Sequence, residues 1–345
     1  MTHRSLSTLL ILLACAGPAL ADDAAASAAP APRLKLEGSQ RGVALAPKGN
    51  RVLWFERHEG RYRFFFSDTQ GIAPQEVVRV DARSPGQLEH VLNGGLRQWA
   101  PDSSRFGFAT VERGVLRAGI AQLDGTTELF DDTEPRAAVE THSLCFAPEG
   151  GGGWYVEGRS AGIAPKSTIH TFDADGERGE PVFEVQQALV TALEPSPDGA
   201  RLAFFLGTKQ GRRVAILDLT SGVHVTSGVV RVIDHLGRPR LFWTADSEAV
   251  VFTARSGPGV WPASVLRFDA TGAELRALVS SETWAVFGVS AQGEVSLVDP
   301  HGRAAALLNP TTGERRAAPG NLAIGQESPR SALLYEPESG QLWLE

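Results

Sequence analysis

Residues that could perform acid–base or metal chemistry are spread thinly through this sequence of 345 residues. After residue 21 the histidines occur singly, and no two of them have the spacing of metal ligands on one helix or turn. They are His58, His90, His142, His170, His224, His235 and His301. The sequence also lacks the G-x-S-x-G elbow, the P-loop, H-E-x-x-H, C-x-x-C and the EF-hand loop. We therefore predict no catalytic residue, no metal ligand and no cofactor, although a fold that gathers distant residues around one axis could still build a metal site.

Several polar and aromatic residues lie in segments that are typical of surface connections. Arginine and tryptophan in such connections suit a protein interface, because both side chains can anchor a contact. The simpler interpretation of each residue is a solvated connection without a function, and the acidic segment 131–134 is better explained as a solvated turn than as a cation site. The candidate binding residues are Glu157, Arg159, Arg255, Trp261, Trp284, Asp132 and Glu134.

The charge balance argues against a nucleic-acid partner. The chain has 33 lysines and arginines against 40 acidic residues, which gives a net charge of −7. Proteins that bind the phosphate backbone present a basic surface, and this composition does not supply one.

The N-terminus has the features of an export signal over residues 1–21. Arg4 precedes the apolar run Leu6–Ala16, and Ala19-Leu20-Ala21 supplies the small residues of a cleavage site. The apolar run is shorter than the roughly 20 residues that a membrane-spanning helix needs. Residues 22–32 then form a linker rich in Ala and Pro. We expect a periplasmic or secreted protein.

A second interpretation of the N-terminus is a lipid anchor. Leu12-Leu13-Ala14-Cys15 resembles the bacterial lipobox, in which Cys15 would be lipidated and hold the protein at the outer membrane. If cleavage follows Ala21 instead, Cys145 is the one remaining cysteine and cannot form an internal disulfide. We predict that Cys145 is a buried structural thiol in a strand.

The elements that position these residues are repeated. A short turn sequence flanked by apolar β-formers recurs along the chain, as in Ser196-Pro197-Asp198-Gly199, where Pro, Asp and Gly each favour a tight turn. The second residue of the turn falls at positions 47, 101, 148, 197, 245, 291 and 329. Apolar runs before and after each turn predict a hairpin, and a third and a weaker fourth strand follow.

Four short strands in each repeat of roughly 45 residues predict a β-propeller blade. The pattern favours an all-β, seven-bladed propeller over residues 33–345, with six blades as the fallback, and we expect a monomer. The last repeat lacks a fourth strand, whereas Arg33–Glu37 is a spare alternating strand before the first repeat. We predict that this N-terminal strand closes the last blade, because an open blade would expose an unpaired edge.

The segment from Ser196 to Phe204, with Val214–Asp218 downstream, resembles the TolB-type, WD-repeat-like propeller repeat. The similarity covers about residues 33–345, and the fourth repeat matches best, since the fifth and sixth lack the proline. The chain is expected to be a stand-alone propeller without the N-terminal domain of TolB. The resemblance implies an envelope setting and a periplasmic or envelope protein as partner, so we predict a protein-binding or scaffold module.

Two alternatives remain open at this stage. Similar propellers include polysaccharide lyases that use a central metal and histidines, so an axial-face enzyme such as a metal-dependent lyase or hydrolase is the first alternative. A purely structural or sensory propeller is the second. In either case propellers bind through the face that holds the connections between second and third strands, and we expect the site there.

Overall fold

The structure is a computed structural model, and it describes residues 34–36, 41–46, 51–58, 61–68, 75–81, 99–112, 115–130, 140–159, 165–232, 241–256, 264–272, 275–279, 284–289, 293–298, 305–317, 333–336 and 341–344. Every regular element in these ranges is a β-strand, which confirms the all-β prediction for this part of the chain. The predicted signal segment 1–21 and linker 22–32 lie outside the described residues. No described segment forms a helix long and apolar enough to cross a membrane.

The strands follow the predicted repeats, which we number as units in chain order. β1 (Leu34–Leu36) precedes unit 1, which holds β2 (Arg41–Leu45), β3 (Arg51–His58), β4 (Arg61–Asp68) and β5 (Gln75–Asp81). Unit 2 holds β6 (Arg105–Glu112), β7 (Val115–Gln122) and β8 (Thr127–Leu129), and unit 3 holds β9 (Glu140–Phe146), β10 (Gly152–Arg159), β11 (Lys166–Asp173) and β12 (Arg178–Gln186). Unit 4 holds β13 (Leu189–Pro195), β14 (Arg201–Thr208), β15 (Gly211–Asp218) and β16 (His224–Thr226).

The later strands continue this order. Unit 5 holds β17 (Val230–Val232), β18 (Phe242–Trp243), β19 (Ala249–Ser256), β20 (Ser264–Asp269) and β21 (Leu275–Val279). Unit 6 holds β22 (Ala285–Val289), β23 (Val295–Val298), β24 (Ala305–Leu308) and β25 (Arg315–Ala317), and β26 (Leu333–Glu336) and β27 (Gln341–Leu344) follow.

Neighbouring strands are antiparallel within every unit, but the units are not all separate sheets. The described strands form six sheets, because β17 pairs with both β15 and β19 and so joins units 4 and 5 in one nine-stranded sheet. Among the described residues of unit 2, Trp99 forms an isolated antiparallel bridge with Phe106 at the place of a first strand. The number of sheets therefore does not by itself fix the number of blades.

Successive units pack face to face, and the core consists of these interfaces. Phe204 faces unit 3 and Phe205 faces unit 5, as strand alternation requires, and both are fully buried. Trp54, Trp99, Trp154 and Trp243 lie beside the repeated turns and are buried, as suits large apolar side chains between packed sheets. Cys145 is buried in the interface of units 3 and 4, which confirms its predicted burial.

The repeated turns share one hydrogen-bonding scheme. The backbone N–H of Ser196 donates to Arg201 O, and that of Thr244 donates to Ala249 O. The side chain of each also donates to the aspartate two residues on, from Ser196 Oγ to Asp198 and from Thr244 Oγ1 to Asp246. The polar groups of the turn sequence thus form hydrogen bonds with one another, which is why these residue types by themselves predict the turn.

Thr244→Val is expected to lower the free energy of unfolding by about 2 kcal/mol, because it keeps the shape but removes the bonds of a buried hydroxyl to Asp246 and to the N–H of Ala249. Chemical denaturation measures this change. Thr226→Val, at an exposed position of β16, is the matched control and should stay within ~0.5 kcal/mol of the parent. Equal effects of the two substitutions would contradict the role of the turn.

Arginines connect the turns of neighbouring units. Arg201 opens β14 and donates from Nη1 to Ser247 O in the turn of unit 5, at 2.9 Å. Arg51 opens β3 and makes the same contact with Ser103 O of unit 2, at 2.7 Å. Both serines have the positive φ, 60° and 61°, that the fourth position of this turn needs. The turns therefore hold adjacent units together at one end.

The beginning and the end of the described chain meet in one sheet. β1 pairs antiparallel with β27, with Lys35 opposite Trp343, and β27 pairs in turn with β26. The spare N-terminal strand of the sequence is thus the outer partner of the last strand, as a closing strand requires.

Candidate functional site

The two ends of the units differ in construction. One end, which we call the turn face, carries the repeated turns between first and second strands. The opposite end, the loop face, carries the connections between second and third strands. These connections are the short segments 59–60, 113–114 and 209–210 and the longer segments 160–165, 257–263 and 299–304. Among these connections, those of units 3, 5 and 6 are longer than those of units 1, 2 and 4.

A charged cluster in unit 3 contains one of the predicted binding residues. Glu157 lies in β10, and its carboxylate accepts from Arg178, with Nη1–Oε1 and Nη2–Oε2 distances of 3.1 Å each. Nε2 of His170 is 3.4 Å from Oε2 of Glu157, and the Tyr155 ring stacks on the imidazole at 5.5 Å between centroids. The side chains of Glu157 and His170 are 14% and 7% exposed. We name these four residues the Glu157 cluster.

The position of the Glu157 cluster follows from strand alternation. Tyr155 and Glu157 are two residues apart on β10, and His170 is the register partner of Tyr155 on β11. The Tyr155 ring stacks on Phe130 of unit 2, with 4.3 Å between centroids. The cluster therefore lies between units 2 and 3, although the sequence suggested a surface connection for Glu157. The pairing of β10 with β11 continues to Arg159 opposite Lys166, so residues 157–159 belong to a strand and not to a loop.

The electrostatic surroundings of Glu157 favour its ionised form. Burial acts to raise the pKa of Glu157, but the hydrogen bond with His170 and the charge of Arg178 outweigh it and hold the pKa below its ordinary value. A general acid in a neutral solution needs a raised pKa instead. The ion pair of the Glu157 cluster joins β10 to β12 within unit 3, so the cluster is suited to fixing the strands of this unit and not to proton transfer.

His170 lies between the two charged partners. Nη2 of Arg178 is 2.9 Å and Oε2 of Glu157 is 3.4 Å from Nε2 of His170. A guanidinium can only donate and a carboxylate can only accept, so Nε2 accepts from Arg178 in one tautomer and donates to Glu157 in the other. The hydrogen bond that lowers the pKa of Glu157 belongs to the second arrangement. Nδ1 of His170 is buried and has no hydrogen-bond partner among the described residues.

Two further candidates, Arg255 and Trp284, lie toward the loop face of units 5 and 6, and the side chain of Arg255 lies outside the described residues. Arg255 lies near the end of β19, where its register partner on β17 is Arg231. Trp284, which directly precedes β22, is half-buried against the core between these units, and the Arg315 guanidinium lies 5.3 Å from its ring centroid. The N–H of Val286 donates to Thr253 Oγ1 at 2.8 Å and so aligns β22 with β19. Arg255 lies two residues after Thr253, and Trp284 lies two residues before Val286, so both positions are nearer to the loop face than this bond.

The remaining candidates lie wholly or partly outside the described residues. Arg159 ends β10, and its side chain lies outside the described residues, as do Trp261, Asp132 and Glu134 altogether. Arg255 was expected in a loop, whereas β19 continues to Ser256, because the pairing with β17 extends this strand. Within the described residues no group of three or more His, Cys, Asp or Glu side chains is arranged to hold a metal ion.

Sequence reasoning missed Arg178, His170 and Arg231. Arg178 is 21 residues from Glu157 and reaches it only because β10, β11 and β12 are adjacent. Arg231 was missed because β17 is three residues long and its segment carried no turn signal. A search for residues of like charge directly opposite each other on paired strands would have found Arg231.

Comparisons with known proteins identify the fold. No family model and no curated protein matches the sequence. An oligogalacturonate lyase in complex with manganese has a TM-score of 0.58 at 11% identity, over 87% of each chain. The β-propeller domain of the Trilobed protease from Pyrococcus furiosus has a TM-score of 0.55 at 11% identity, over 86% of this chain and 90% of that one.

TolB from Acinetobacter baumannii is also similar, with 19% identity over 84% of this chain and 77% of that one. Its TM-score of 0.46 does not distinguish a TolB-type protein from other propellers. The antiparallel units and the two more similar structures together establish what the chain is: it folds as a β-propeller.

Proposed function

We propose that this protein is an exported, TolB-type propeller of seven blades that binds another protein of the bacterial envelope through its loop face. The observation that carries the proposal is the difference between the two faces. The turn face uses its polar groups internally, through the serine–aspartate bonds and the arginine contacts with the next turn. At the loop face, the connections 160–165, 257–263 and 299–304 are longer than the two-residue turns at the same position of units 1, 2 and 4, and such connections are where a rigid scaffold carries its contacts.

The blade count and closure belong to this proposal. Units 1–6 with the sheet of β1, β26 and β27 supply seven groups of strands, and the joining strand β17 accounts for the lower number of sheets. The pairing of β1 with β27 supports closure by the N-terminal strand. The export signal and the TolB-type repeat support the envelope setting.

The Glu157 cluster in unit 3 does not favour the enzyme alternative. Its carboxylate is paired with Arg178 and has a lowered pKa, so it would be a weak base and a poor acid. The lyases with a similar fold are 10% and 11% identical to this chain, and their likeness does not extend to activity.

Capture of a partner tests the proposal. The exported chain is immobilised and exposed to an envelope extract of the source organism, and we expect one specific protein to be retained. A variant in which segments 160–165 and 257–263 are replaced by two-residue turns like Lys209-Gln210 should lose this protein. Thr311→Ala, on the exposed turn between β24 and β25, is the control and should retain it.

Three results would contradict the proposal. They are capture of no specific protein by the parent, full capture by the variant with shortened connections, and cleavage of oligogalacturonate by the parent in the presence of manganese. The last result would establish the enzyme alternative.

A further inference from the structure

Basic side chains gather at the loop-face end of unit 4. Lys209 lies in the two-residue turn that joins β14 to β15, and Arg212 and Arg213 follow at the start of β15. Val230 of β17 is the register partner of Arg212, so the next residue, Arg231, has its Cα atom about 6 Å from that of Arg212 on the adjacent strand. We name this group the basic end; it consists of Lys209, Arg212, Arg213 and Arg231.

The side chains of the basic end lie on both flanks of the two strands. Directly opposite residues of antiparallel strands share a face, so Arg212 lies on the face of the buried Val230, and Arg213 and Arg231 lie on the other. Nη1 of Arg213 donates to Ser227 O at 3.0 Å, which positions this guanidinium, and a carbonyl does not neutralise its charge. A partner that approaches the loop face therefore meets positive charge on either flank.

The charge of the basic end is not neutralised within the described part of the chain. Lys209, Arg212 and Arg231 are exposed, and no described residue forms a hydrogen bond or an ion pair with any of these three side chains. Every other exposed lysine or arginine that the structure describes has a side-chain contact with a carbonyl, an aromatic ring or a carboxylate. These partnered residues are Arg276, Arg315 and Arg316.

The opposite end of units 4 and 5 has the opposite sign. Carboxylates outnumber arginines at the turn-face end of the described strands of these units, where Arg201 is one of the cations. The carboxylates there include Asp198, Asp218, Asp246 and Glu248. Although the whole chain has a net charge of −7, these two units thus present a positive potential at the loop face and a negative one at the turn face.

We propose that the basic end binds an acidic surface of the partner protein and directs its approach to the loop face. Complementary charges accelerate and orient the encounter of two proteins, and four neighbouring cations supply the required field. A protein surface fits better than a membrane, because the basic end is confined to one hairpin and one adjacent strand, whereas the net charge of −7 repels an extended anionic surface. This inference rests on the proposed protein-binding function and names the chemistry of the partner.

The test uses the full exported chain and two labelled peptides, hexaglutamate and the neutral hexaglutamine, with fluorescence anisotropy at low ionic strength, where surface charges are weakly screened. We expect hexaglutamate to bind and hexaglutamine not to bind. The test variant removes the three exposed charges of the basic end, by Lys209→Gln, Arg212→Gln and Arg231→Gln. It should weaken hexaglutamate at least ~10-fold, through the loss of three exposed ion pairs. The control variant removes the same total charge elsewhere on units 5 and 6, by Arg276→Gln, Arg315→Gln and Arg316→Gln. It should change the affinity less than ~3-fold, because these positions are more distant from the bound peptide.

A second readout separates a binding role from a structural one. The test variant should unfold at the temperature of the parent or above it, since the three side chains that it replaces have no partner among the described residues and repel one another. A lower unfolding temperature together with weaker binding would assign these residues a structural role and overturn the proposal.

Three further results would overturn it. They are equal binding of the two peptides, equal weakening by the two variants, and tighter binding of the parent to phosphatidylglycerol vesicles than to hexaglutamate, which would assign the basic end to a membrane. If the test variant still captures the envelope partner at full yield, the assignment of this surface is wrong while protein binding stands. If the parent captures no partner, the proposed function itself is wrong.

Discussion

Replacing Glu157 with alanine lowers the free energy of unfolding by about 3 kcal/mol, the largest change we expect from a single side chain at this interface. The substitution removes the carboxylate that accepts a hydrogen bond from Nη2 of Arg178 and pairs with its Nη1, and it leaves that guanidinium, which is 22% exposed, without this counter-charge. For a chain of 345 residues the corresponding fall in unfolding temperature is about 4 °C. Differential scanning calorimetry measures both quantities.

The matched control replaces both partners. Glu157→Leu combined with Arg178→Met keeps the volume and removes the buried charges together, so most of the lost stability should return. If the double variant is less stable than Glu157→Ala, the pair does not act as the electrostatic unit that its geometry indicates.

The same cluster gives a pH dependence with a definite sign. The pKa of Glu157 is lower in the folded protein than its ordinary value of 4.5. The carboxylate therefore contributes stability that is fully present above the unfolded-state pKa and is lost as the pH falls through the folded-state pKa. The difference in unfolding free energy between the parent and Glu157→Gln should be constant near neutral pH and should shrink below about pH 4.5. A difference that grows on acidification would contradict the direction of this shift.

Introducing proline at position 35 produces the second large loss of stability that we expect. Within the described residues, β1 is the one strand of the N-terminal segment that pairs with the C-terminal strand β27. Lys35 is the central residue of β1 and lies opposite Trp343 of β27. Proline cannot donate a backbone hydrogen bond and restricts the backbone, so Lys35→Pro should separate β1 from β27 at a cost of about 3 kcal/mol. Thermal unfolding measures the loss.

Exposure of the β27 edge provides an independent signal. An unpaired edge strand promotes association between chains, so Lys35→Pro should also form oligomers in light scattering. Ala26→Pro, in the predicted linker that already contains two prolines, is the control and should match the parent. If Lys35→Pro unfolds at the same temperature as the parent and stays monodisperse, closure by the N-terminal strand is wrong.

Local chemistry explains which features of the fold were predictable. The turn from Ser196 to Gly199 has its own proline, aspartate and glycine, and it folds with the bonds that those residue types favour. Trp54 and Trp243 follow from strand alternation beside such turns, and both are buried. The all-β class and the strand order required no information beyond these repeated patterns.

The features that escaped prediction depend on contacts between distant residues. Strand alternation alone did not indicate that Glu157 faces another unit, since a charged residue near a strand end is ordinarily exposed. Its burial depends on Arg178, which two intervening strand pairings bring to it. The joining of units 4 and 5 similarly depends on β17, whose three residues have no pattern long enough to indicate a strand.

The amino-acid sequence by itself determined the repeat, the turn chemistry and the aromatic core, because each of these is encoded within a few neighbouring residues. The tertiary structure decided that Glu157 is an interior ion-pair partner, that Arg231 and Arg255 are register partners on β17 and β19, and that Trp284 packs against the core between units 5 and 6. These outcomes depend on the register between strands and on the packing between units, which shift a residue from surface to interface without any change in its local sequence.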